Sequence, residues 1–361
     1  MREIKAREGD LIETYDNLIF DVKGLIHPPN RFIAYVRYIQ DPKGDRQRKN
    51  ILYKKVYPLS EREKLLENKY SQYLYYDPIF GERLEGVPIK CISTLYQPSK
   101  KVSELLKNPT SDKVEKKAIK FVQYLHDTSK VPMKKLGLSG SILLGLYTKK
   151  SDIDLIVYGR KNCLAMHETL KQLMKEEKSN VSSYNLNDLK RLYNFRSRDT
   201  HMPLEDFLRI ERRKSLQGKY ENKDFFIRFL IDWDEVNEKY GDRRYVPMGN
   251  ARIKAKIVDA SNSIFTPCSY QISNSEILEG KKSQLIKEIV SFRGRFCEQA
   301  VEGETIIAQG KVEKTIEKDK KQHLRLILGA KVSDYMLIKH AKNLSQPLEK
   351  RPKTKSRHIK I

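Results

Sequence analysis

The sequence predicts an α/β (α+β) core with a mixed sheet, flanked by a β-rich N-terminal extension and a C-terminal β-barrel-like domain. Three patterns support this architecture. The first hundred residues alternate apolar and polar positions, as half-buried strands do. Within residues 111–178, segments whose apolar residues follow helical spacing stand before and after a short apolar strand. Beyond Gly249, many short strand-like segments separated by Gly, Asn and Lys turns predict a small barrel or sandwich, with an OB-like fold as one form.

In the N-terminal region, strands are predicted over residues 18–22, 31–39 and 50–57. The sequence Ser-Glu-Arg-Glu at 60–63 has the form of a helix capping box, so we expect a charged helix to start there. Four tyrosines follow it: Tyr70, Tyr73, Tyr75 and Tyr76. They could stack on nucleic-acid bases, but packing at a domain edge with the hydroxyl in water is the favoured interpretation.

The central region is predicted to order its elements as helix, short helix, strand and helix, at residues 111–127, 141–147, 153–157 and 162–178. Further helices near 186–193 and 203–214 precede an apolar strand over 225–231. We therefore divide the chain into an N-terminal region (1–105), a core (106–248) and a C-terminal β domain (249–340). The tail, 341–361, holds seven Lys or Arg and one Glu and is predicted to be disordered.

The charge of the chain favours a polyanionic partner. Among 361 residues, 71 Lys and Arg stand against 47 Asp and Glu, which gives a formal net charge of +24. Nucleic acid is the first candidate partner, although a Lys-rich thermophile proteome would produce the same excess. No apolar run is long enough to span a membrane, no apolar stretch follows the first charges, and the four cysteines form no CxxC pair. We expect a cytoplasmic protein with reduced thiols and no membrane partner.

One segment indicates chemistry. Gly140 and Ser141 stand between a predicted strand and a short apolar helix, and Asp152 and Asp154 open the next apolar strand. Residues two apart on a strand point to one face, so the two carboxylates can share a divalent cation. A glycine lets backbone approach a ligand closely, and a serine at a helix start offers a hydroxyl and free N–H groups to a phosphate. The segment therefore predicts a triphosphate beside a metal ion.

A Gly-Ser pair followed after ten residues by Asp-x-Asp resembles the signature of the polymerase-β-like nucleotidyltransferase superfamily, over about residues 113–234. The resemblance implies that Gly140 and Ser141 bind the triphosphate. It also implies that Asp152 and Asp154 bind Mg²⁺ or Mn²⁺, with a nucleoside triphosphate such as ATP as substrate. A P-loop is a weaker alternative, because Leu146 and Tyr147 stand where that motif needs Lys and Ser or Thr. In a purely structural interpretation, Gly-Ser is a turn and Asp152 a cap, which leaves the carboxylate pair unexplained.

The third carboxylate of such a site is harder to place. In the superfamily it usually lies in a neighbouring strand, and the best strand here, 225–231, has Asp224 before it and Asp232 and Asp234 after it. Asp232 shares strand parity with Arg228 and Asp224, so we expect Asp232 to be the third ligand or the base toward the acceptor. A degenerate site with two carboxylates stays open, as does pairing of Arg228 with the Asp pair.

The predicted activity is metal-dependent transfer of a nucleotidyl group from a nucleoside triphosphate to an acceptor. Because of the charge and the extra β domains, we expect that acceptor to be an RNA or DNA end. The alternatives are a decayed transferase core that only binds nucleic acid, and transfer to a protein or small molecule. Base preference, use of a template and oligomeric state have no signal in the sequence.

Overall fold

The computed structural model describes residues 4–56, 59–281 and 285–339, so the basic tail predicted over 341–361 lies outside the described residues. The N-terminal region is an antiparallel sheet with one helix. Its elements are β1 (Leu11–Thr14), β2 (Ile19–Val22), β3 (Arg31–Gln40), β4 (Arg46–Arg48), β5 (Ile51–Lys55), α1 (Leu59–Lys69), β6 (Leu74–Asp77), β7 (Glu82–Pro88) and β8 (Ile92–Tyr96). The strands follow the order β4-β5-β3-β2-β1-β8, and the β6–β7 hairpin joins at β3.

Two details of this region differ from the sequence patterns. Helix α1 begins at Leu59, one residue before the predicted start at Ser60. The tyrosines divide between core and surface: Tyr73 is fully buried, whereas 67% of Tyr76 is exposed. The guanidinium of Arg31 lies 4.1 Å from the ring centre of Tyr75. Packing is therefore the main role of the cluster, but the hydroxyls of Tyr73 and Tyr75 donate to Asp16 and Asp77 instead of facing water as favoured above.

The central region is a mixed sheet with helices packed against it. Its elements are α2 (Pro98–Lys107), α3 (Lys113–Ser129), β9 (Leu136–Leu138), α4 (Gly140–Leu144), β10 (Ile153–Tyr158), α5 (Arg160–Leu173), β11 (Val181–Ser182), α6 (Leu186–Arg196), α7 (Leu204–Glu211), β12 (Gln217–Tyr220) and β13 (Lys223–Leu230). The strand order is β11-β12-β13-β10-β9. Strands β10 and β13 are parallel and the other neighbours antiparallel, which confirms the predicted mixed α/β sheet.

Local sequence explains why these elements form. Asp112 caps α3, because its side chain accepts hydrogen bonds from the backbone N–H groups of Val114 and Glu115. The helix then buries the apolar positions that the spacing predicts. Helix α4 begins one residue earlier than predicted and ends three residues earlier, at Leu144, where the φ of +67° at Gly145 suits a glycine just beyond a helix C-terminus.

The C-terminal region consists of strands whose pairings close into a ring. Its elements are β14 (Arg243–Asp259), β15 (Cys268–Gly280), β16 (Ile286–Ser291), β17 (Thr305–Glu317), β18 (Gln322–Leu328) and β19 (Tyr335–Ile338). The path β14-β15-β16-β18-β17 returns to β14, since β14 pairs with β15 on one side and β17 on the other. The predicted barrel-like sheet is thus present, with β19 added beside β17.

The core and the C-terminal strands share one hydrophobic interior. A single cluster of buried side chains contains Leu155 and Ile227 of the central sheet together with Ile253 and Leu326 of the ring. Strand β14 begins at Arg243, so position 249 lies inside that strand, and the apolar core is continuous across it. Among the described residues, no helix combines the length and the apolar character needed to cross a membrane.

A buried carboxylate joins the ring to the central region. Glu298 accepts hydrogen bonds from the backbone N–H of Ser215 (2.9 Å) and of Leu216 (3.0 Å). It also bonds the Ser215 hydroxyl (2.7 Å) and His167 Nε2 (2.8 Å). Burial alone would raise the pKa of Glu298, but the bonds from His167, Ser215 and Leu216 hold the pKa below its usual value.

We expect the Glu298→Ala change to lower the free energy of unfolding by about 2–4 kcal/mol, because it leaves buried backbone donors without acceptors. Denaturant unfolding followed by circular dichroism measures this. The control is Glu302→Ala, four residues away and exposed, which should change stability by less than about 0.5 kcal/mol. Equal effects of the two changes would contradict the anchoring role.

Candidate functional site

Asp152 and Asp154 lie at the start of β10, in the middle of the central sheet. Asp152 is exposed and Asp154 is half-buried, and their spacing places both side chains on one face of the strand. The backbone carbonyl of Asp154 accepts a hydrogen bond from the N–H of Ser139 (2.8 Å). This bond fixes the Asp pair next to the turn that leads into α4.

Gly140 lies directly against Asp154. A Cβ atom built at position 140 would stand 1.9 Å from Asp154 Oδ2, and the φ angle of Gly140 is +60°. Both the space and the backbone conformation therefore require glycine. Ser141 follows as a buried residue (4% exposed) in α4. The structure thus brings Gly140, Ser141 and Asp154 together, as the motif predicts.

The charges around Asp154 oppose one another. Burial, and next to it the negative charge of Asp152, raise the pKa of Asp154 to about 6. The cations Lys55, Arg228 and Arg37 act in the other direction. A carboxylate pair held in this way gains from a divalent cation, which relieves the repulsion between its members.

Asp232 is not brought to the pair, so the structure does not support its predicted role. Gly159 directly follows β10 and lies five residues after Asp154, a distance of about 16 Å along a strand. A Cβ built on Gly159 would lie 3.9 Å from Cβ of Asp232, which places Asp232 at the opposite end of the strands. There Asp232 pairs with Arg7 (2.9 Å) and Lys135 and accepts a hydrogen bond from the N–H of Trp233. Although burial opposes it, bonding to Lys135 and Arg7 lowers the pKa of Asp232 to about 2.

Asp224 is the carboxylate that the strand register places beside the Asp pair. In the parallel register Ile153 pairs with Phe225, so one residue earlier Asp224 falls beside Asp152 on the same face. Arg191 donates to Asp224 Oδ2 (2.9 Å), while Oδ1 is buried and has no hydrogen-bond partner. Parity alone could not separate Asp224 from Asp232. The parallel pairing of β10 and β13 distinguishes them. The Asp pair lies at the start of β10, so it lies beside the start of β13, where Asp224 is found.

The oxygens of Asp152, Asp154 and Asp224 fit a hard cation. The described residues contain no ready cluster of three or more His, Cys, Asp or Glu side chains with metal-binding geometry. Carboxylate oxygens are nevertheless the ligands that Mg²⁺ prefers, with water and phosphate completing its shell. The unpartnered Asp224 Oδ1 is a further acceptor in need of a partner.

Arg228 has a partner outside the Asp pair. Its Nη1 donates to Glu8 Oε1 (2.9 Å), and the carboxylate of Glu8 is fully buried. Arg228 still acts on Asp154 through its charge. Arg228 therefore forms its ion pair with the N-terminal region. The alternative of a direct contact with the Asp pair is not what the structure shows.

The Asp pair faces a large cavity. The cavity has a volume of about 1660 Å³, and its walls come from all three regions. Ser141, Asp152, Asp154 and Asp224 line it on the central sheet. Small-molecule pockets usually have about 300–1,000 Å³. The cavity is therefore larger than a typical small-molecule pocket.

Comparison with known proteins agrees with this geometry. The family described as nucleotidyltransferase domain matches residues 115–191, which include Gly140, Ser141, Asp152 and Asp154. The uncharacterized protein MJ1086 of Methanocaldococcus jannaschii is 33% identical over 348 residues, which cover 93% of this chain and all of that protein. No solved structure matches the chain. The resemblance drawn from the Gly-Ser and Asp-x-Asp motif is confirmed.

The contact between Gly140 and Asp154 can be tested with a matched pair of substitutions. Gly140→Ala should lower the free energy of unfolding by more than the roughly 1–2 kcal/mol of left-handed strain, since its Cβ displaces Asp154. Gly145→Ala carries similar strain at φ +67° but meets no atom within 4 Å. Denaturant unfolding compares the two. Equal losses would show that no contact limits position 140.

Proposed function

This chain belongs to the nucleotidyltransferase domain family, and we propose that it transfers a nucleotidyl group from a nucleoside triphosphate in a reaction dependent on Mg²⁺ or Mn²⁺. The observation that carries the proposal is the close approach of Gly140 to Asp154, whose side chain lines the large cavity. This approach brings the turn before α4 and the same-face carboxylate pair side by side, which supports a phosphate bound beside a metal ion, as nucleotidyl transfer requires.

Each residue of the site has a part in this reaction. Asp152 and Asp154 hold the metal ion, which supplies charge neutralisation to the triphosphate. Gly140 allows the phosphates to approach the backbone, and the Ser141 hydroxyl donates to a phosphate oxygen. The acceptor oxygen attacks the α-phosphorus, and the bond from that phosphorus to the bridging oxygen of pyrophosphate breaks. Asp224 takes the proton of the acceptor hydroxyl or serves as a third ligand, in place of Asp232.

We propose a nucleic-acid end as the acceptor. The net charge of +24 favours a polyanion, and the cavity has room beyond a single nucleotide. In the C-terminal ring, β14, β15 and β16 are consecutive neighbours and β17 returns beside β14, which is a Greek-key order. That order supports an OB-like barrel, a fold that binds oligonucleotides.

One observation favours a second candidate function. Asp224 is bonded to Arg191, and the described residues hold no ready metal cluster. A core that binds nucleic acid without transferring nucleotides would have such a site. Metal-dependent incorporation of label from each α-labelled nucleoside triphosphate into total RNA separates the two functions. Label on a protein or a small molecule would instead identify a different acceptor.

In that assay, Asp152→Asn and Asp154→Asn should each lower turnover at least a hundredfold, because a lost metal ligand removes several kcal/mol of transition-state stabilisation. Asp224→Asn should lower it at least tenfold. Asp232→Asn is the control at the far end of the same strands, and it should retain turnover within about threefold. Circular dichroism checks that each variant is folded.

The outcomes of this series test the Asp pair and the third carboxylate separately. Activity within threefold of the parent in both Asp152→Asn and Asp154→Asn would refute the proposed site. Loss of activity in Asp232→Asn with a silent Asp224→Asn would return the third role to Asp232.

Binding of RNA should depend steeply on salt if the excess charge serves nucleic acid. Each phosphate contact releases counterions, with a slope near −0.7 per contact for single strands. About six contacts would cost roughly 300-fold in affinity between 50 and 200 mM salt. Fluorescence anisotropy with a labelled oligoribonucleotide measures this, and Asp152→Asn should bind RNA at least as well as the parent. A flat salt dependence would favour a protein or small-molecule acceptor.

A further inference from the structure

The N-terminal sheet packs directly on the phosphate-binding turn. One cluster of buried apolar side chains joins Leu143, Leu144 and Leu146, at and just after α4, to Ile19 and Tyr38 of the N-terminal sheet. Helix α4 begins with Gly140 and Ser141, so this interface fixes the N-terminal sheet beside the motif. Other side chains of the sheet, Arg37, Arg46 and Lys55, line the same large cavity as the Asp pair.

Arg46 of the edge strand β4 holds the loop that precedes the Asp pair. Its Nη1 donates to the carbonyl of Leu146 (3.0 Å) and to the hydroxyl of Ser151 (3.1 Å). The Ser151 hydroxyl also accepts the N–H of Thr148 (2.9 Å). Asp152 follows immediately, so its position depends on a residue more than a hundred positions earlier in the chain.

Two cationic residues of the N-terminal sheet, Lys55 and Arg37, also lie near Asp154. Lys55 pairs with Tyr38 across β3 and β5, and its Nζ lies 5.8 Å from the Tyr38 ring centre. Arg37 sits in a β-bulge, since Ile19 pairs with Tyr38 and Phe20 with Val36. A bulge re-aims the side chain of the extra residue.

Both cations line the two cavities at the site. The large cavity includes Lys55, Arg37, Ser141 and Asp154 in its wall. A second cavity of about 50 Å³ lies between Lys55, Arg37, Gly140 and Asp154. A water occupies about 30 Å³, so this space admits a small group such as a phosphate oxygen. The cations therefore face the point where Gly140 and Asp154 meet.

A triphosphate at this point adds negative charge beside two carboxylates. One divalent cation cannot balance the charges of the triphosphate and of the two carboxylates, so additional cations must face the phosphates. Lys55 and Arg37 already oppose the negative charge at Asp154. We propose that Lys55 and Arg37 bind the β- and γ-phosphates of the nucleoside triphosphate, so that the N-terminal sheet completes the nucleotide site. This assignment rests on the proposed nucleotidyl transfer.

The test measures binding of inorganic tripolyphosphate with Mg²⁺ to the full chain by calorimetry, which avoids the unknown base preference. Lys55→Ala should weaken binding at least tenfold, and Lys55→Arg should restore most of it. Lys54→Ala is the matched control, because Lys54 is adjacent, exposed and on the other face of β5. Arg37→Gln tests the second cation in the same way.

A second readout separates phosphate binding from simple neutralisation of Asp154. If Lys55 only neutralises Asp154, Lys55→Ala should tighten Mn²⁺ binding and leave tripolyphosphate affinity unchanged in the Asp154→Asn background. Our assignment expects the tenfold loss to persist in that background. Unchanged tripolyphosphate affinity in both folded Lys55→Ala and Arg37→Gln would overturn it while leaving nucleotidyl transfer intact. Failure of the parent to bind any nucleoside triphosphate would instead overturn both.

Discussion

The contact between the backbone of Gly140 and the carboxylate of Asp154 is the constraint on which the site depends. It joins the turn before α4 to the first residues of β10, and no side chain fits between them. The hydrogen bond from Ser139 to the Asp154 carbonyl fixes the same approach through the backbone. Because the turn and the strand are held together in this way, the turn that we propose to bind phosphate and the carboxylate pair are positioned before any ligand arrives. Such preorganisation lowers the free energy that binding must spend on ordering the site.

Local patterns in the sequence were sufficient for the parts of the site that lie within one stretch of chain. The glycine, the serine and both members of the Asp pair belong to a fifteen-residue segment from Gly140 to Asp154, and strand periodicity alone puts the two carboxylates on one face. The mixed sheet and the helices around it were also predictable, because apolar spacing reports burial directly. The exact start of α1 was not predictable, since the helix begins one residue before Ser60.

The remaining features of the site and fold depend on pairing between segments that lie far apart in the sequence. Asp224 and Asp232 have the same parity on β13, and only the parallel register with β10 shows which end of the strand carries the Asp pair. The contribution of the N-terminal sheet depends on a bulge at Arg37 and on packing against α4, neither of which alternation in the sequence reveals. Likewise, composition changes at Gly249, but the apolar interior continues across it. Long-range contacts of this kind are determined by the three-dimensional packing of segments that lie far apart in the chain.

The large cavity has walls from all three regions, and two of those regions share one apolar interior. A molecule bound there contacts groups that are separated when the chain unfolds. Its binding free energy is therefore added to the stability of the entire protein, by about 2.7 kcal/mol at a ligand concentration one hundred times the dissociation constant. Thermal shift measurements can thus serve as a screen for the natural ligand, because an occupant of this cavity raises the melting temperature even when its chemistry is unknown.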